Sequence, residues 1–269
     1  MCERPSNPPI PETAPTLDQH NLEICKNREH WRRKPLLQRV YGQFYREIAR
    51  RIDYTIPGLI VELGSGMGNI KEHVPACITT DVFANPWLDR VENAYDLSFG
   101  EGTVSHLILF DVWHHLEFPG TALREFSRVL AGRGRLIIFD PAMGLLGRLI
   151  FGCFHHEPLG LSDQIRWEVA TDLSRRQPGY YAAQGNASRV FGSDSFRNQL
   201  GAWRIAEIAY YSGLAYLGTG GFRGPQVYPA KVLPILNWID SILSRFRSLA
   251  CRMLVVLEKS SEPEGRSVR

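Results

Sequence analysis

The sequence predicts an α/β fold of the doubly wound type. Residues 59–63 form an apolar, partly β-branched run, as expected for a strand buried on both faces of a sheet. Gly64, Gly66 and Gly68 follow at alternate positions, and helix-compatible residues resume at Asn69. Glycine allows a sharp turn and a close approach of the backbone to a ligand. A strand, a glycine turn and a helix in this order predict the ligand-binding corner of such a sheet.

Three further strands are predicted, each followed by an acidic residue: 77–80 before Asp81, 104–110 before Asp111 and 135–139 before Asp140. A short strand at 89–91 is expected between the first two of these. Asp81 lies 19 residues beyond Glu62, near the interval at which α/β folds place a carboxylate on ribose hydroxyls. The alternative for Asp81 is a residue that caps a turn. Ligands of these folds bind at the carboxyl ends of the strands.

The N-terminal region is predicted to cover the sheet. A helix broken at Pro35 is expected, with apolar residues at three- and four-residue intervals. This stripe comprises Leu36, Leu37, Val40, Tyr41, Phe44, Ile48 and Ile52. It should pack on the sheet or over the mouth of the ligand site. Trp31 and Tyr41 therefore either contact a ligand or pack in the core.

The chain divides by composition and periodicity into six segments. They are a disordered, proline-rich tail (1–20), N-terminal helices (21–56), the ligand-binding core (57–142), a lid or substrate insertion (143–202), the last two strands with an amphipathic helix (203–260) and a second disordered tail (261–269). The helix between the last strands contains Val232, Ile235, Leu236, Ile239, Ile242, Leu243, Phe246 and Leu249. Packing on the domain or weak contact with a membrane surface would explain its apolar face.

Composition narrows the possible classes of protein. A chain of 269 residues with 44% hydrophobic and 22% charged residues is typical of a globular protein with one α/β domain. The net charge of +3 is too small to imply nucleic-acid binding. The five cysteines show no close pairing, which argues against a disulfide framework or a zinc ribbon. The absence of an apolar leader or a long apolar run favours a cytoplasmic location.

The spacing of the glycines distinguishes between two cofactor classes. A dinucleotide fingerprint would need glycine at position 69, which is Asn69. The chain instead reads Glu-x-Gly-x-Gly-x-Gly from Glu62 to Gly68, which resembles the first motif of class I S-adenosylmethionine (SAM) dependent methyltransferases. Residues 128–136, RVLAGRGRL, are similar to a further segment of that family. Beyond Asp140 the chain resembles a narrower bacterial group among the methyltransferase type 11-like proteins. That resemblance rests on Phe154-His155-His156-Glu157-Pro158, on Gly220-Gly221-Phe222 and on residues 252–258.

The resemblance implies a Rossmann-like, seven-stranded sheet, mostly parallel with the last strand antiparallel, and it implies SAM as cofactor. The residues expected to contact SAM are Glu62, Gly64, Ser65, Gly66, Gly68, Asp81, Val82, Asn93, Ala94, Asp111 and Val112. At position 93 the family usually has an acid that contacts the adenine amino group. Asn93 departs from that pattern, although its side-chain oxygen can accept the same bond. The proline of the family's next segment is also missing, since the chain reads Leu97-Ser98-Phe99.

Two histidine pairs are candidates for catalysis or substrate binding. His114 and His115 follow the strand at 104–110, at the edge where ligands bind. Histidine suits proton transfer because its pKa lies near neutrality. His155 and His156, next to Glu157, form a second polar cluster. Packing and capping are the structural alternatives for both pairs, and no metal site is expected because adjacent histidines rarely point at one ion.

The sequence therefore predicts a SAM-dependent methyltransferase. The expected acceptor is a small molecule or a lipid-like metabolite, methylated on oxygen with His114 or His115 as the base. Because of Asn93, a non-catalytic SAM-binding module within a complex is the second interpretation. Nucleic-acid methylation is disfavoured because the single Asn-Pro-Pro sequence, at residues 7–9, is not followed by an aromatic residue.

Overall fold

A computed structural model describes residues 17–154, 157–169 and 181–260. Within these ranges seven strands form one sheet in the order β3-β2-β1-β4-β5-β7-β6. The strands are β1 (Leu59–Leu63), β2 (Ile78–Asp81), β3 (Arg90–Val91), β4 (Val104–Phe110), β5 (Leu130–Pro141), β6 (Trp203–Tyr211) and β7 (Arg252–Lys259). His155 and His156, and the predicted tails up to residue 16 and from residue 261, lie outside the described residues.

The topology agrees with the predicted fold class. Strands β1 to β5 pair in parallel, whereas β7 is antiparallel to both β5 and β6. The Rossmann-like, doubly wound sheet with an antiparallel last strand is thus confirmed. The carboxyl ends of β1, β2, β4 and β5 meet at one edge, which brings the glycine turn and the acidic strand ends together.

Helices cover both faces of the sheet. They are α1 (Leu17–Arg33), α2 (Pro35–Ala49), α3 (Pro119–Val129), α4 (Leu145–Phe154), α5 (Asn186–Phe191), α6 (Leu214–Gly218) and α7 (Leu233–Leu243). Pro35 separates α1 from α2 because a proline lacks the amide hydrogen that a continuous helix needs. The predicted apolar stripe of α2 is buried, so this helix forms the N-terminal cover of the sheet.

The alternation of side chains along β4 divides the core into two layers. Leu107 and Leu109 belong to a cluster that packs against α3 and α5. Ile108 and Phe110 point to the opposite face, where their cluster includes the buried side chains of α2. Tyr41 is buried in this second cluster, so it packs in the core as one of the two sequence interpretations expected.

Three local expectations differ from the structure. The helix predicted after the glycine turn is a single 3-10 turn, Asn69–Glu72. The strand predicted at 135–139 begins earlier, at Leu130, and contains a bulge where Arg133 has a positive φ of 63°. The amphipathic helix predicted to reach Leu249 ends at Leu243, because Phe246 has an extended backbone that turns the chain toward β7.

Helix α7 packs less completely than an amphipathic core helix. Leu233 is buried, but Ile235 and Trp238 are 58% and 65% exposed. In the described part of the chain, no helix combines the length and the apolar character needed to cross a membrane. The weak membrane-surface contact considered from the sequence stays a prediction.

Candidate functional site

The glycine turn between β1 and the 3-10 turn is closely packed against the residue after Asp111. Gly64, Gly66 and Gly68 all have positive φ angles, a conformation that favours glycine. A Cβ at Gly64 would lie 2.4 Å from Val112 Cγ2. Glycine is therefore required there for backbone geometry and for space, and the predicted residues Gly64 and Val112 are brought together.

Asp81 lies directly under this turn. Its Oδ2 accepts a hydrogen bond of 3.2 Å from Gly66 N, and its Oδ1 accepts one of 2.7 Å from Val82 N. Ser65 N donates to Thr80 O at 2.8 Å, and Thr80 N donates back to Ser65 Oγ at 3.1 Å. These bonds fix the glycine turn to the end of β2, and Asp81 takes part in that connection.

Glu62 is buried beneath the glycine turn. The residue is 1% exposed, and its Oε2 has no hydrogen-bond partner among the described residues. Burial raises the pKa of Glu62 to about 8, and the nearby Asp81 adds to the effect while Ser65 opposes it. The carboxyl group is thus protonated over much of the neutral range, which makes it a hydrogen-bond donor.

Asn93 and Ala94 form a turn beyond β3. Asn93 Oδ1 accepts a hydrogen bond of 3.0 Å from Tyr95 N, so an adenine amino group would have to share that oxygen. Asn85, which the sequence did not indicate, donates from Nδ2 to Gly66 O at 3.1 Å. Ile24 of α1 approaches the other side of the turn, since its Cδ1 lies 3.7 Å from a Cβ placed on Gly66.

Asp111 forms a buried ion pair with Arg252 at the start of β7. Arg252 Nη2 donates to Asp111 Oδ2 at 3.0 Å, and Nη1 makes a second, shorter bond to Oδ1. The side chain of Arg252 is 3% exposed and that of Asp111 is 32% exposed. The guanidinium also lies 5.0 Å from the ring of Tyr216. The acid at the end of β4 is therefore joined to β7 on the far side of β5.

His114 is the centre of a buried acid–base cluster. Its Nδ1 is 3.0 Å from Asp140 Oδ1 at the end of β5, and its Nε2 is 3.5 Å from Glu157 Oε2. Burial tends to lower the pKa of His114, but Asp140 and Glu157 outweigh that effect and raise the pKa to about 10. His114 is accordingly a cation at neutral pH.

His115 has a different environment and, unlike His114, is uncharged at neutral pH. Its Nδ1 is 2.8 Å from the carbonyl oxygen of Tyr181, which fixes the proton on Nδ1. Its Nε2 is 3.8 Å from Glu157 Oε1, and its side chain is 34% exposed. Burial and the neighbouring charge of His114 lower the pKa of His115 to about 4. His115 is thus neutral, with the basic nitrogen on the side of Glu157.

The same cluster has the spacing of a metal-binding group. One ligand atom each from His114, His115 and Glu157 lies within 4.8 Å of the others. The two adjacent histidines therefore both approach one carboxylate. From the sequence no metal site is expected because adjacent histidines rarely point at one ion, and that reason does not hold here.

Several residues of the site had weak or no signals in the sequence. Asp140 could have been found, because it ends a predicted strand as Asp81 and Asp111 do. Arg252 could not, since it contacts Asp111 across 141 positions of sequence. Gln184, which donates to Glu157, lies in a segment without periodicity.

Comparisons with known proteins concern the glycine-turn region and the fold. The family model described as a methyltransferase domain matches residues 62–138, from the glycine turn to β5. A chain from the complex between the Haloferax volcanii Trm112 methyltransferase activator and a methyltransferase is similar in structure. It has 14% identity, coverage of 92% of this chain and 99% of its own, and a TM-score of 0.53. At that identity the likeness shows the fold alone.

Two further solved structures have TM-scores of 0.49. A SAM-dependent methyltransferase from Archaeoglobus fulgidus has 14% identity and covers 81% of this chain and 94% of its own. One from Thermotoga maritima has 12% identity and covers 88% and 99%. A search of the curated proteins gives no match.

Proposed function

We propose that the glycine turn of this chain holds SAM and that a hydroxyl-bearing acceptor is methylated beside His115. The match of residues 62–138 to the methyltransferase domain model supports the proposal. The single observation that supports these positions for the cofactor and the acceptor is the close approach of Gly64 and Val112. It brings the cofactor turn next to the segment that ends in the two histidines.

The cofactor would lie along the carboxyl ends of β1, β2 and β4. Each oxygen of Asp81 can accept more than one hydrogen bond, so the carboxylate can receive ribose hydroxyls while it holds the turn. Asn93 and Ala94 would contact the adenine, and Glu62 would support the turn from below. SAM supplies an activated methyl group, so the work of these residues is to bind and orient it.

The different charge states of the two histidines support different roles for them. His114, protonated and bonded to Asp140, cannot accept a further proton at neutral pH. His115 is neutral and partly exposed, so it is the group that can take a proton from an acceptor hydroxyl. A base is useful for an oxygen nucleophile, which supports methylation of oxygen in a small-molecule or lipid-like acceptor. The carbonyl oxygen of Tyr181 orients His115 through Nδ1, and Glu157 stabilises the imidazolium that forms.

A divalent metal ion bound by His114, His115 and Glu157 is the second candidate for this cluster, and the spacing of the three ligand atoms supports it. In that case the metal would activate the acceptor hydroxyl by lowering its pKa, and His115 would not act as the base. Metal analysis of the purified protein, followed by activity after chelation, separates the two mechanisms.

Calorimetric titration with SAM and with NAD tests the cofactor site. We expect SAM but not NAD to bind, and Asp81→Asn to weaken SAM binding at least tenfold because it leaves one acceptor oxygen. Asp194→Asn is the matched control, since that exposed side chain pairs with Arg197 outside the site. A folded protein that binds no SAM would contradict the proposal.

Transfer of a labelled methyl group to a panel of alcohols and lipid extracts tests the catalytic assignment. We expect His115→Ala to lower kcat about a hundredfold with little change in SAM affinity. SAM binding without transfer to any acceptor would instead favour the non-catalytic module.

A further inference from the structure

A cavity of about 690 Å³ lies beside the end of β5, apart from the glycine turn. Its walls come from the segment after β5, from α4 and α5, and from the chain just before β7. None of the described residues that line it belongs to the glycine turn or to the His114 cluster. The cavity is therefore a separate candidate binding site.

Three arginines line this cavity: Arg148 on α4, Arg189 on α5, and Arg247 before β7. In the described part of the chain, none of them has a carboxylate within ion-pair distance, and no aspartate or glutamate lines the cavity. Each guanidinium instead donates to backbone carbonyls. A carbonyl fixes the position of an arginine without neutralising its charge, so the cavity has a concentrated positive charge.

The hydrogen bonds show how firmly each arginine is placed. Arg189 Nη1 and Nη2 each donate at 2.6 Å, to Gly160 O and Asp163 O. Arg148 Nε donates at 3.2 Å to Met143 O, and Arg247 donates to Gly192 O. These bonds use only part of the donors of each guanidinium, which has five. The remaining donors are available for an anion.

The other walls combine hydroxyl groups with apolar surface. Ser188, Ser193, Ser195 and Ser248 supply hydroxyl groups. Leu145, Leu161, Phe196 and Tyr210 supply apolar and aromatic surface. Leu145 is 69% exposed, so its side chain is accessible to a ligand in the cavity. A ligand with one anionic end and one apolar end would satisfy both kinds of wall.

We propose that this cavity binds a phosphate monoester with an apolar substituent. A phosphate monoester has a charge near −2 at neutral pH and three acceptor oxygens, which match several arginine forks at once. The apolar substituent covers Leu145 and the aromatic side chains. The phosphate group could belong to a free metabolite or to a lipid headgroup, and the site recognises the chemistry that the two share. This proposal does not depend on the methyl-transfer site.

Calorimetry with octyl phosphate, inorganic phosphate and octyl glucoside tests the proposal on the full chain. We expect octyl phosphate to bind with one-to-one stoichiometry, and at least tenfold more tightly than either of the other two. Arg148→Met and Arg247→Met should each weaken that binding about tenfold, since a charge-assisted bond is lost. Arg124→Met is the matched control, because Arg124 pairs with Glu168 on another surface and its loss should leave binding unchanged.

Arg148→Met is the more informative variant, because its replacement on an exposed helix face disturbs the fold least. Octyl phosphate binding that is equal in wild type and in both arginine variants would overturn the proposal, as would binding no tighter than that of octyl glucoside. Sedimentation with vesicles of phosphatidylcholine, with and without phosphatidic acid, identifies the source. Arginine-dependent sedimentation with phosphatidic acid assigns the site to a lipid headgroup, and octyl phosphate binding without sedimentation assigns it to a free phosphate ester.

Discussion

The ion pair between Asp111 and Arg252 is expected to respond unequally to the loss of its two partners. Both residues are charged and bonded through two hydrogen bonds, but Arg252 is buried whereas a third of the Asp111 side chain is exposed. Burial opposes the charge of Arg252, yet Asp111 raises its pKa well above the usual value, so the guanidinium stays charged. The residue that remains after a substitution therefore determines the energetic cost.

Asp111→Asn leaves a buried cation without its counter-charge. Removal of one partner from a buried pair costs about 3–5 kcal/mol. Asparagine still accepts one hydrogen bond, so we expect a loss of about 3 kcal/mol in the free energy of unfolding. Asparagine is the suitable replacement because residue 111 has a φ of 58°, which asparagine tolerates better than most residues. Backbone strain then contributes little to the measured difference.

Arg252→Met leaves Asp111 instead, and that carboxylate can be hydrated through its exposed side. Methionine also restores apolar packing near Phe139 and Tyr216, the rings that the guanidinium approaches. We expect a loss of about 1 kcal/mol or less after allowance for solvent screening. The double variant should lose no more than Arg252→Met alone, because neither charge is then left unpaired.

Urea denaturation followed by circular dichroism measures these differences, provided that all variants have the same m-value. Arg204→Met is a control for the removal of an arginine from an exposed pair with Glu258, and it should cost less than 1 kcal/mol. The reasoning is refuted if Arg252→Met destabilises the protein as much as Asp111→Asn. Arg252 would then act through packing rather than through the burial of its charge.

Two further predictions concern the glycine turn and the acid–base cluster. Gly68→Ala should lower the melting temperature more than Gly66→Ala. Both residues have positive φ angles, but only at Gly68 would the new Cβ lie 2.9 Å from a backbone oxygen, that of Trp87. Equal losses of melting temperature by calorimetry would contradict this prediction. His114 has a folded-state pKa of about 10 against a usual 6.5, so its contribution to stability is complete below about pH 6.5 and is lost as the pH rises through 10. The free energy of unfolding should therefore fall less between pH 6.5 and 10 in His114→Gln than in wild type; parallel pH profiles would disprove the assignment of the raised pKa.

The parts of the fold that the sequence predicted are those with a local signal. Strand β4 is apolar except at Ser105 and His106 and has the predicted bounds, and the glycine spacing located the turn. The prediction of a helix after that turn was wrong, because Pro75 and the start of β2 leave room for only one 3-10 turn. Local periodicity contains no information about that distance.

The candidate site was predicted less completely, because its partners are distant in sequence. The positions of Asp81, Asp111 and His114 followed from strand ends, but their bonding partners did not. Glu157 reaches His114 from a loop without periodicity, and Arg252 reaches Asp111 from the other end of the chain. The charge states of His114 and His115 depend on these contacts, so the sequence left the choice of base open.

The segment after β5 supports both proposed sites, which gives them a physical connection. Asp140 bonds to His114, whereas Met143 N, three residues later, donates to Ser188 Oγ on the wall of the cavity. Helix α5, which contains Ser188 and Arg189, also packs through Phe191 on Trp113, the neighbour of His114; their ring centroids are 4.7 Å apart. A phosphate ester that immobilises α5 would therefore restrict the histidine turn as well. If binding in the cavity changes SAM affinity, linkage requires SAM to change the affinity for octyl phosphate by the same factor. A change in both affinities by the same factor would show that the two sites are coupled, and a change in neither would show that they are independent.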